Sequence, residues 1–352
     1  MFAERALPII VLVFGLFLDA PFAAAEPRIL SADAHVDLLK LTKELGGVLE
    51  WNPARQTGIL SYGTRNVSLR VGTPWVLVDY STPLFVGNIK RRQGSVILSK
   101  DGAEKLRQLA NTPKEKSVHH IGAVLIDPGH GGRDPGASNT HKFNHGNFTL
   151  LEKEVVLETS RVLHELLAQR YPKKKIVLSR SDDRYLTLEE RTALANSLLI
   201  ETDSAVIFLS VHANASPSKN ASGFEVWYLP EDYRREVILP NSHEARAPKL
   251  TPILNTVQEE SLGRDSRLLA EMIVNSIAYR VGDLSSNRGI REESWFVVRN
   301  AKMPAVLIEL GFTTNEHEAE LLADSGYLRT LAEAIYSAVT AFVRSFEETQ
   351  SL

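Results

Sequence analysis

Four residues of this chain have the types and settings that hydrolytic chemistry uses. An apolar run, Ala123–Ile126, leads straight into Asp127-Pro128-Gly129-His130-Gly131-Gly132 and then Asp134-Pro135-Gly136. Four Gly and two Pro within those ten residues dictate a tight, irregular loop from which His130 projects. A second run ends in Ser210-Val211-His212-Ala213-Asn214, and a third in Ile308-Glu309-Leu310-Gly311-Phe312. Glu152 stands where a helical pattern opens after the Gly-rich loop. Taken singly, each has an ordinary explanation. A His after a strand is commonly a hydrogen-bonded loop residue, and an acid in the first turn of a helix is favoured by the macrodipole. Glu309 is harder to dismiss, because a carboxylate continuing a buried strand needs a partner or its pKa rises. The set is stronger than its members. Zinc sites that catalyse hydrolysis take three N or O ligands and leave one position to water, and two His with one Glu is such a set. A further carboxylate must then take the proton from the attacking water. The chain has no Cys, which excludes disulfides, thiol catalysis and thiolate ligands, so any metal here must be held by His and carboxylates.

The elements that would position these residues alternate from Ile121 onward. Strand candidates are Ala123–Ile126, Lys175–Leu178, Ala205–Val211, Phe224–Leu229, Trp295–Val298 and Ala305–Glu309. Helix candidates lie between them: Glu152–Arg170, a segment opened by the capping box Thr187-Leu188-Glu189-Glu190, Ser266–Val281, and Leu331–Phe346. This alternation predicts an α/β fold, a twisted and largely parallel sheet with helices on both faces. In such sheets functional groups gather at the carboxyl ends of strands, where His130, His212 and Glu309 all fall. Residues 26–112 read differently. A helix over Val36–Leu45 ends at Gly46-Gly47, and short strands follow at Val48–Trp51, Thr57–Tyr62, Asn66–Val71 and Trp75–Val78, which predicts a small α+β module. Residues 113–120 read as a linker and 347–352 as a tail.

Composition agrees with a folded enzyme. Of 352 residues 43% are hydrophobic and 24% charged, which excludes a mainly disordered chain. Forty basic against 43 acidic side chains leave a net charge of −3, which argues against a nucleic-acid partner. The apolar run from Ala6 to Leu18, with Arg5 before it and Ala23-Ala24-Ala25 after it, predicts a secretory signal over residues 1–25. An exported protein is expected, with no stable membrane insertion once the signal is removed.

Several segments also resemble a known family. In order, VLIDPGHGGRDPGA, EKEVVLETSRVLHELL, LSRSDDRYLTLEERTALAN, FLSVHANAS, GFEVWYL and WFVVRNAKMPAVLIELGFTTNEHEAELL are similar to the zinc-dependent N-acetylmuramoyl-L-alanine amidases. The resemblance covers residues 121–346. It implies hydrolysis of the amide between the lactyl group of N-acetylmuramic acid and the L-alanine of peptidoglycan stem peptides, in the periplasm or cell wall of a bacterium. It implies one Zn²⁺ held by His130, Glu152 and His212, with Glu309 catalytic and Asn214 and Asn300 near the substrate. Glu152 follows His130 by 22 residues, so the sheet must bring them together. The stretch LLKLTKELGGVLEWNPARQTGILSYGTRNVSLRVG resembles the stalk-like N-terminal domain of copper amine oxidases, without any copper-binding cluster.

Two segments stand outside the motifs. The polar loop between Ser138 and Leu151 carries His141 and His145, which read as solvated loop or substrate-rim residues. Residues 230–261 form a long polar insertion, and loops of that length commonly act as lids. Some amidases of the family carry a blocking helix here, which suggests a gate around Glu259 and Glu260 relieved by an activator protein. A zinc carboxypeptidase or endopeptidase acting on stem peptides is the alternative reading, since it would use the same metal logic.

Overall fold

The computed structural model describes residues 35–63, 65–79, 82–112, 120–143, 146–198, 204–230, 233, 237 and 251–351. The expected signal and residues 113–119 of the expected linker lie outside the described residues, as does His145.

Residues 35–111 build one set of elements. Strand β1 (His35–Asp37) passes into helix α1 (Leu38–Glu44), which Asp37 caps by accepting from the Lys40 N–H at 2.9 Å. Strands β2 (Val48–Asn52), β3 (Thr57–Tyr62), β4 (Arg65–Arg70), β5 (Trp75–Val78) and β6 (Thr82–Phe85) form an antiparallel sheet in chain order. Strand β7 (Lys90–Arg92) pairs with β8 (Ser95–Ser99), which pairs with β1, and helix α2 (Lys100–Asn111) follows. Leu41, Leu60, Val67, Leu98 and Leu106, all fully buried, centre a core made within these residues. The α+β character expected from the alternating runs is present, and four strands and a helix beyond the expected ones complete it.

The second set contains the sheet that matters for chemistry. Strand β9 (His120–Pro128) is followed by a separate hairpin, β10 (Ser138–Phe143) and β11 (Gly146–Leu151). Then come helix α3 (Glu152–Arg170), strand β12 (Lys175–Leu178), helix α4 (Leu188–Ser197), strand β13 (Ser204–Asn214) and strand β14 (Phe224–Tyr228). Helix α5 (Thr251–Val281), strand β15 (Asn287–Glu292), helix α6 (Phe296–Asn300), strand β16 (Ala305–Phe312), helix α7 (Glu316–Leu322) and helix α8 (Ser325–Ser351) complete the chain. Six strands form one sheet in the order β12-β9-β13-β16-β14-β15. Every neighbouring pair is parallel except β14 and β16.

Side chains alternate across this sheet as a pleated strand requires. Ile207, Leu209 and Val211 of β13 enter a core with α3, α5 and α8, whereas Val206 and Phe208 enter a second core with α4 and α6. The expected α/β sheet with helices on both faces is therefore present. The capping box is formed: Thr187 Oγ1 accepts from the Glu190 N–H, and Glu190 Oε2 accepts from the Thr187 N–H.

Four local expectations differ from the structure. Trp295–Val298, expected as a strand, contributes to helix α6, and Val297 and Val298 are buried beside Ala301 and Met303. A four-residue apolar run does not separate the two states by itself. The polar loop after Ser138 is instead the β10–β11 hairpin, with His141 only 9% exposed. Helix α5 begins at Thr251, fifteen residues before the expected start, with Pro252 in the first turn where its missing N–H costs nothing. The tail is helical because Glu347 accepts from Lys174 Nζ at 2.6 Å and the Ile121 N–H at 3.2 Å. Among the described residues, no helix is long and apolar enough to cross a membrane.

Candidate metal centre

Strand register brings the chemistry-bearing residues to one edge. Strands β9 and β13 run side by side with Asp127 opposite Ser210 and Pro128 opposite Val211, and the Gly129 N–H donates to Val211 O at 2.9 Å. The loop after β9 therefore lies beside the end of β13. Strand β16 runs on the other side of β13, with Glu309 opposite His212. Helix α3 reaches the same place because its first residues donate backward into the loop, Glu152 N–H to Ala137 O at 2.9 Å and Lys153 N–H to Pro135 O at 3.1 Å. That closes the gap of 22 residues between His130 and Glu152.

His130, Glu152 and His212 each offer a donor atom, and these atoms all lie within 4.8 Å of one another. Glu152 Oε1 is 3.0 Å from His130 Nε2 and 3.1 Å from His212 Nδ1. Donors bonded tetrahedrally at zinc distances are about 3.3 Å apart, so the spacing suits one small cation. The outer nitrogen of His130, Nδ1, meets Asp134 Oδ2 at 2.8 Å, the carboxylate support that orients a metal-binding imidazole. Glu152 is buried, and its oxygens also accept from the Ala137 N–H at 2.8 Å and the Ala213 N–H at 3.1 Å. Burial acts to raise the Glu152 pKa, but hydrogen bonds from both rings and their charge overcome it, holding the carboxyl well below the ordinary range. The residues present fit a divalent cation.

The backbone around this cluster is shaped to admit it. A Cβ added at Gly129 would lie 2.3–2.6 Å from three atoms of the His212 ring, so only glycine lets that ring lie against the chain. At Gly136, where φ is +65°, a Cβ would lie 2.5 Å from Glu152 Oε2 and 2.7 Å from His130 Cδ2. His130 itself has φ +56°, a left-handed conformation that costs a side-chain-bearing residue energy and marks a functional position.

Two buried arginines hold the loop, and nothing in the chain's local pattern singled them out. Arg180 donates through Nε to Pro128 O at 3.0 Å and through Nη2 to Gly129 O at 2.7 Å and Lys153 O at 2.9 Å. Burial and then the charge of Arg191 bring its pKa down to about 10, so it stays cationic at neutral pH. Arg191 pairs with the fully buried Asp127 at 2.6 Å and donates to Pro128 O at 2.7 Å and His130 O at 2.6 Å. Both lie within the segment LSRSDDRYLTLEERTALAN, but the resemblance gave them no role.

Glu309 is half-buried, and its Oε2 is buried with no hydrogen-bond partner among the described residues. Burial, then the charges of Glu152 and Glu225, push its pKa well above the ordinary carboxylate range. Glu225, which the motifs did not assign, sits opposite Glu309 on β14 and is itself 2% exposed. Asn214 is brought to the same edge, where its Nδ2 donates to Glu225 Oε1 at 2.7 Å. Asn300 is tied elsewhere, ahead of the amino-terminal end of β16: its Nδ2 donates to Phe296 O at 2.8 Å and its carbonyl accepts from Asn196 Nδ2 at 3.0 Å. His141 is directed to Thr313 O, 2.8 Å from its Nε2, and joins the hairpin to the end of β16.

Glu259 and Glu260, expected as a gate over the metal, are set at the other edge of the sheet. The Ala305 N–H donates to Ser266 Oγ at 3.0 Å, which fixes Ser266 at the start of β16. Ser285, just beyond the helix, shares Glu318 with the Phe312 N–H at the end of β16, so α5 runs along that strand in the same direction. Glu260 precedes Ser266 by six residues and lies about 20 Å from Glu309 along the strand direction. The nearby Arg264 instead meets Glu50 of β2 at 3.6 Å.

With this geometry in hand, the chain can be set beside known proteins. The sequence profile of the N-acetylmuramoyl-L-alanine amidases matches residues 124–341. The "Probable cell wall amidase LytH" of Staphylococcus aureus is 30% identical over 227 residues, which cover 64% of this chain and 60% of that protein. The chain thus spans about three fifths of the length of the curated relatives it matches. Among solved structures, the N-acetylmuramoyl-L-alanine amidase from Clostridium difficile 630 is 28% identical with a TM-score of 0.47, covering 64% of this chain and 98% of that one. The catalytic domain of CwlV, the amidase from Bacillus (Paenibacillus) polymyxa var. colistinus, is 27% identical with a TM-score of 0.47, covering 64% of this chain and 99% of that one. The profile match takes in more than half of the chain and every residue of the His–Glu–His cluster, and on that ground the chain belongs to the N-acetylmuramoyl-L-alanine amidase family.

Proposed function

We propose that the chain hydrolyses the amide between the lactyl group of N-acetylmuramic acid and L-alanine in peptidoglycan, with one Zn²⁺ held by His130, Glu152 and His212. The observation that carries this reading is the convergence of those three donors beside a carboxylate whose buried oxygen has no partner. When bound, the zinc supplies Lewis acidity, acidifying the attacking water and polarising the scissile carbonyl. Glu309 accepts the water proton on its carboxylate and returns it to the departing L-alanine nitrogen. Asp134 fixes the ring of His130, so that imidazole does not have to reorganise during reaction. Arg180 and Arg191 hold the carbonyls of Pro128, Gly129 and His130 and keep the loop in place.

Family membership favours this bond over the peptide bonds of the stem. Mass spectrometry of digested peptidoglycan tests it: intact stem peptides with a free L-alanine amine support the amidase, whereas shortened stems still attached to the sugar reject it. The cell wall is then the place of action, with residues 1–25 as the export signal. We further propose that residues 26–112 are a separate structural or wall-docking module, and that a protein activator works on the insertion.

A further inference from the structure

Beside the metal cluster lies a charged assembly that the chemistry above does not use. Strand β14 carries Glu225 directly opposite Glu309, and β15 is the edge strand beyond it. Both oxygens of the buried Glu225 are taken. Oε1 accepts from Asn214 at 2.7 Å, and Oε2 accepts from Arg288 Nε at 2.8 Å and Arg291 Nε at 2.7 Å. Two guanidinium groups thus share one carboxylate.

The two arginines are not equivalent. Arg288 is tied on three sides, by Glu225, by Ser222 O at 3.2 Å from Nη1, and by the Phe312 ring 5.0 Å away. Arg291 is held by Nε and by the Trp227 ring at 5.8 Å, while its side chain is 42% exposed. Among the described residues, neither of its terminal nitrogens has a hydrogen-bond partner. The next acid on the strand, Glu292, is engaged by the Tyr228 hydroxyl. Arg291 is therefore a guanidinium fixed at its base, with its two-nitrogen fork turned loose at an open sheet edge. That fork matches a carboxylate, which it can grip through two parallel hydrogen bonds.

We propose that Arg291, set in place by Glu225 and backed by Arg288, binds a free carboxylate of the stem peptide and makes the enzyme selective for it. This rests on the amidase reading. Its reach is right: adjacent strands are about 4.8 Å apart, so the fork lies about 10 Å from the Glu309 carboxylate. An extended peptide covers that distance in two to three residues at about 3.5 Å each. With the scissile amide at Glu309, the second residue of the stem, or a short stem's terminal carboxylate, arrives at Arg291. Trp227 and Trp295, 6.0 Å apart and edge to face, line the approach.

The test uses three synthetic muramoyl tripeptides: one with both carboxylates free, one with the second-residue carboxylate as a carboxamide, and one with the terminal carboxylate as a carboxamide. A lost charged hydrogen-bond partner costs about tenfold or more. We expect kcat/KM of the wild type to fall about tenfold for one of the two amidated peptides, which identifies the carboxylate read. In Arg291→Gln that ratio collapses to within twofold, while Arg288 continues to neutralise Glu225 and circular dichroism stays as in the wild type. Arg291→Lys keeps the charge without the fork and gives an intermediate ratio, which decides the matter where the Gln variant does not fold. Equal rates on all three peptides, or an undiminished ratio in the variants, overturn the proposal and leave the amidase reading intact. Release of no L-alanine-terminated peptide from any of them overturns both.

Discussion

Glu309 sets the pH response of this site. Burial is the largest cause of its raised pKa, with Glu152 and Glu225 adding to it. That direction belongs to the metal-free site, where burial and these two charges act alone; a cation at the cluster adds an opposing positive charge. A general base works only when ionised. A carboxyl with a raised pKa keeps its proton to higher pH. Titration of the Glu309 carboxyl in the metal-free protein checks this, with a midpoint expected above the ordinary carboxylate range. A midpoint at the ordinary carboxylate value would contradict it. At this scale the sequence was legible where a motif names the residue, as for His130, Glu152, His212 and Glu309. Arg180, Arg191 and Glu225 were not, because their partners are up to 66 residues away in the chain and only the folded sheet supplies them.

Among the elements, the loop after β9 carries the site, and its glycines can be tested one at a time. Gly129→Ala places a methyl within 2.3–2.6 Å of the His212 ring, and neither the ring nor the strand backbone can yield without displacing a donor. The expected outcome is a folded protein, about 1–3 kcal/mol less stable, with metal content and turnover both strongly reduced. Equilibrium denaturation with elemental analysis checks it, and normal metal content would contradict the packing account. Alternation made most of the sheet readable, since β12 and the starts of β14 and β16 fall where the apolar runs predict. It failed where the pattern was short or polar. Val297 and Val298 are equally apolar in a strand or a buried helical turn, and Asn287–Glu292 is too polar to announce an edge strand. The gate expectation failed for a different reason. Glu259 and Glu260 precede Ser266 on a helix whose direction is set by Ser266 and Ser285, two contacts that no local pattern reveals.

For the whole molecule, the way the buried side chains cluster decides how the parts depend on one another. Leu41, Leu60 and Leu106 bury against residues of 35–111, while the sheet of β9–β16 is packed by its own helices. One ion pair between the two sets, Arg264 with Glu50, is 3.6 Å long with its side chains 33% and 67% exposed. Pairs of this kind contribute about 0–1 kcal/mol. A protein starting at residue 113 should therefore keep its metal and its turnover of soluble muramoyl peptides within about twofold, and lose binding to intact walls if the module docks there. Loss of metal or of folding in that truncation would show that the two parts form one cooperative unit. Composition and alternation predict two parts, whereas a contact between them has no signature in either.

The proposed site divides its labour between three residues that would hold the metal and one that would move the proton. Glu309→Ala separates those roles, so zinc content and peptidoglycan hydrolysis measured on the same preparation of that variant test it most directly. The expected result is about one zinc per chain, as in the wild type, with turnover lowered by about 10²–10⁴. Hydrolysis at the wild-type rate, or loss of the zinc together with the activity, would contradict it.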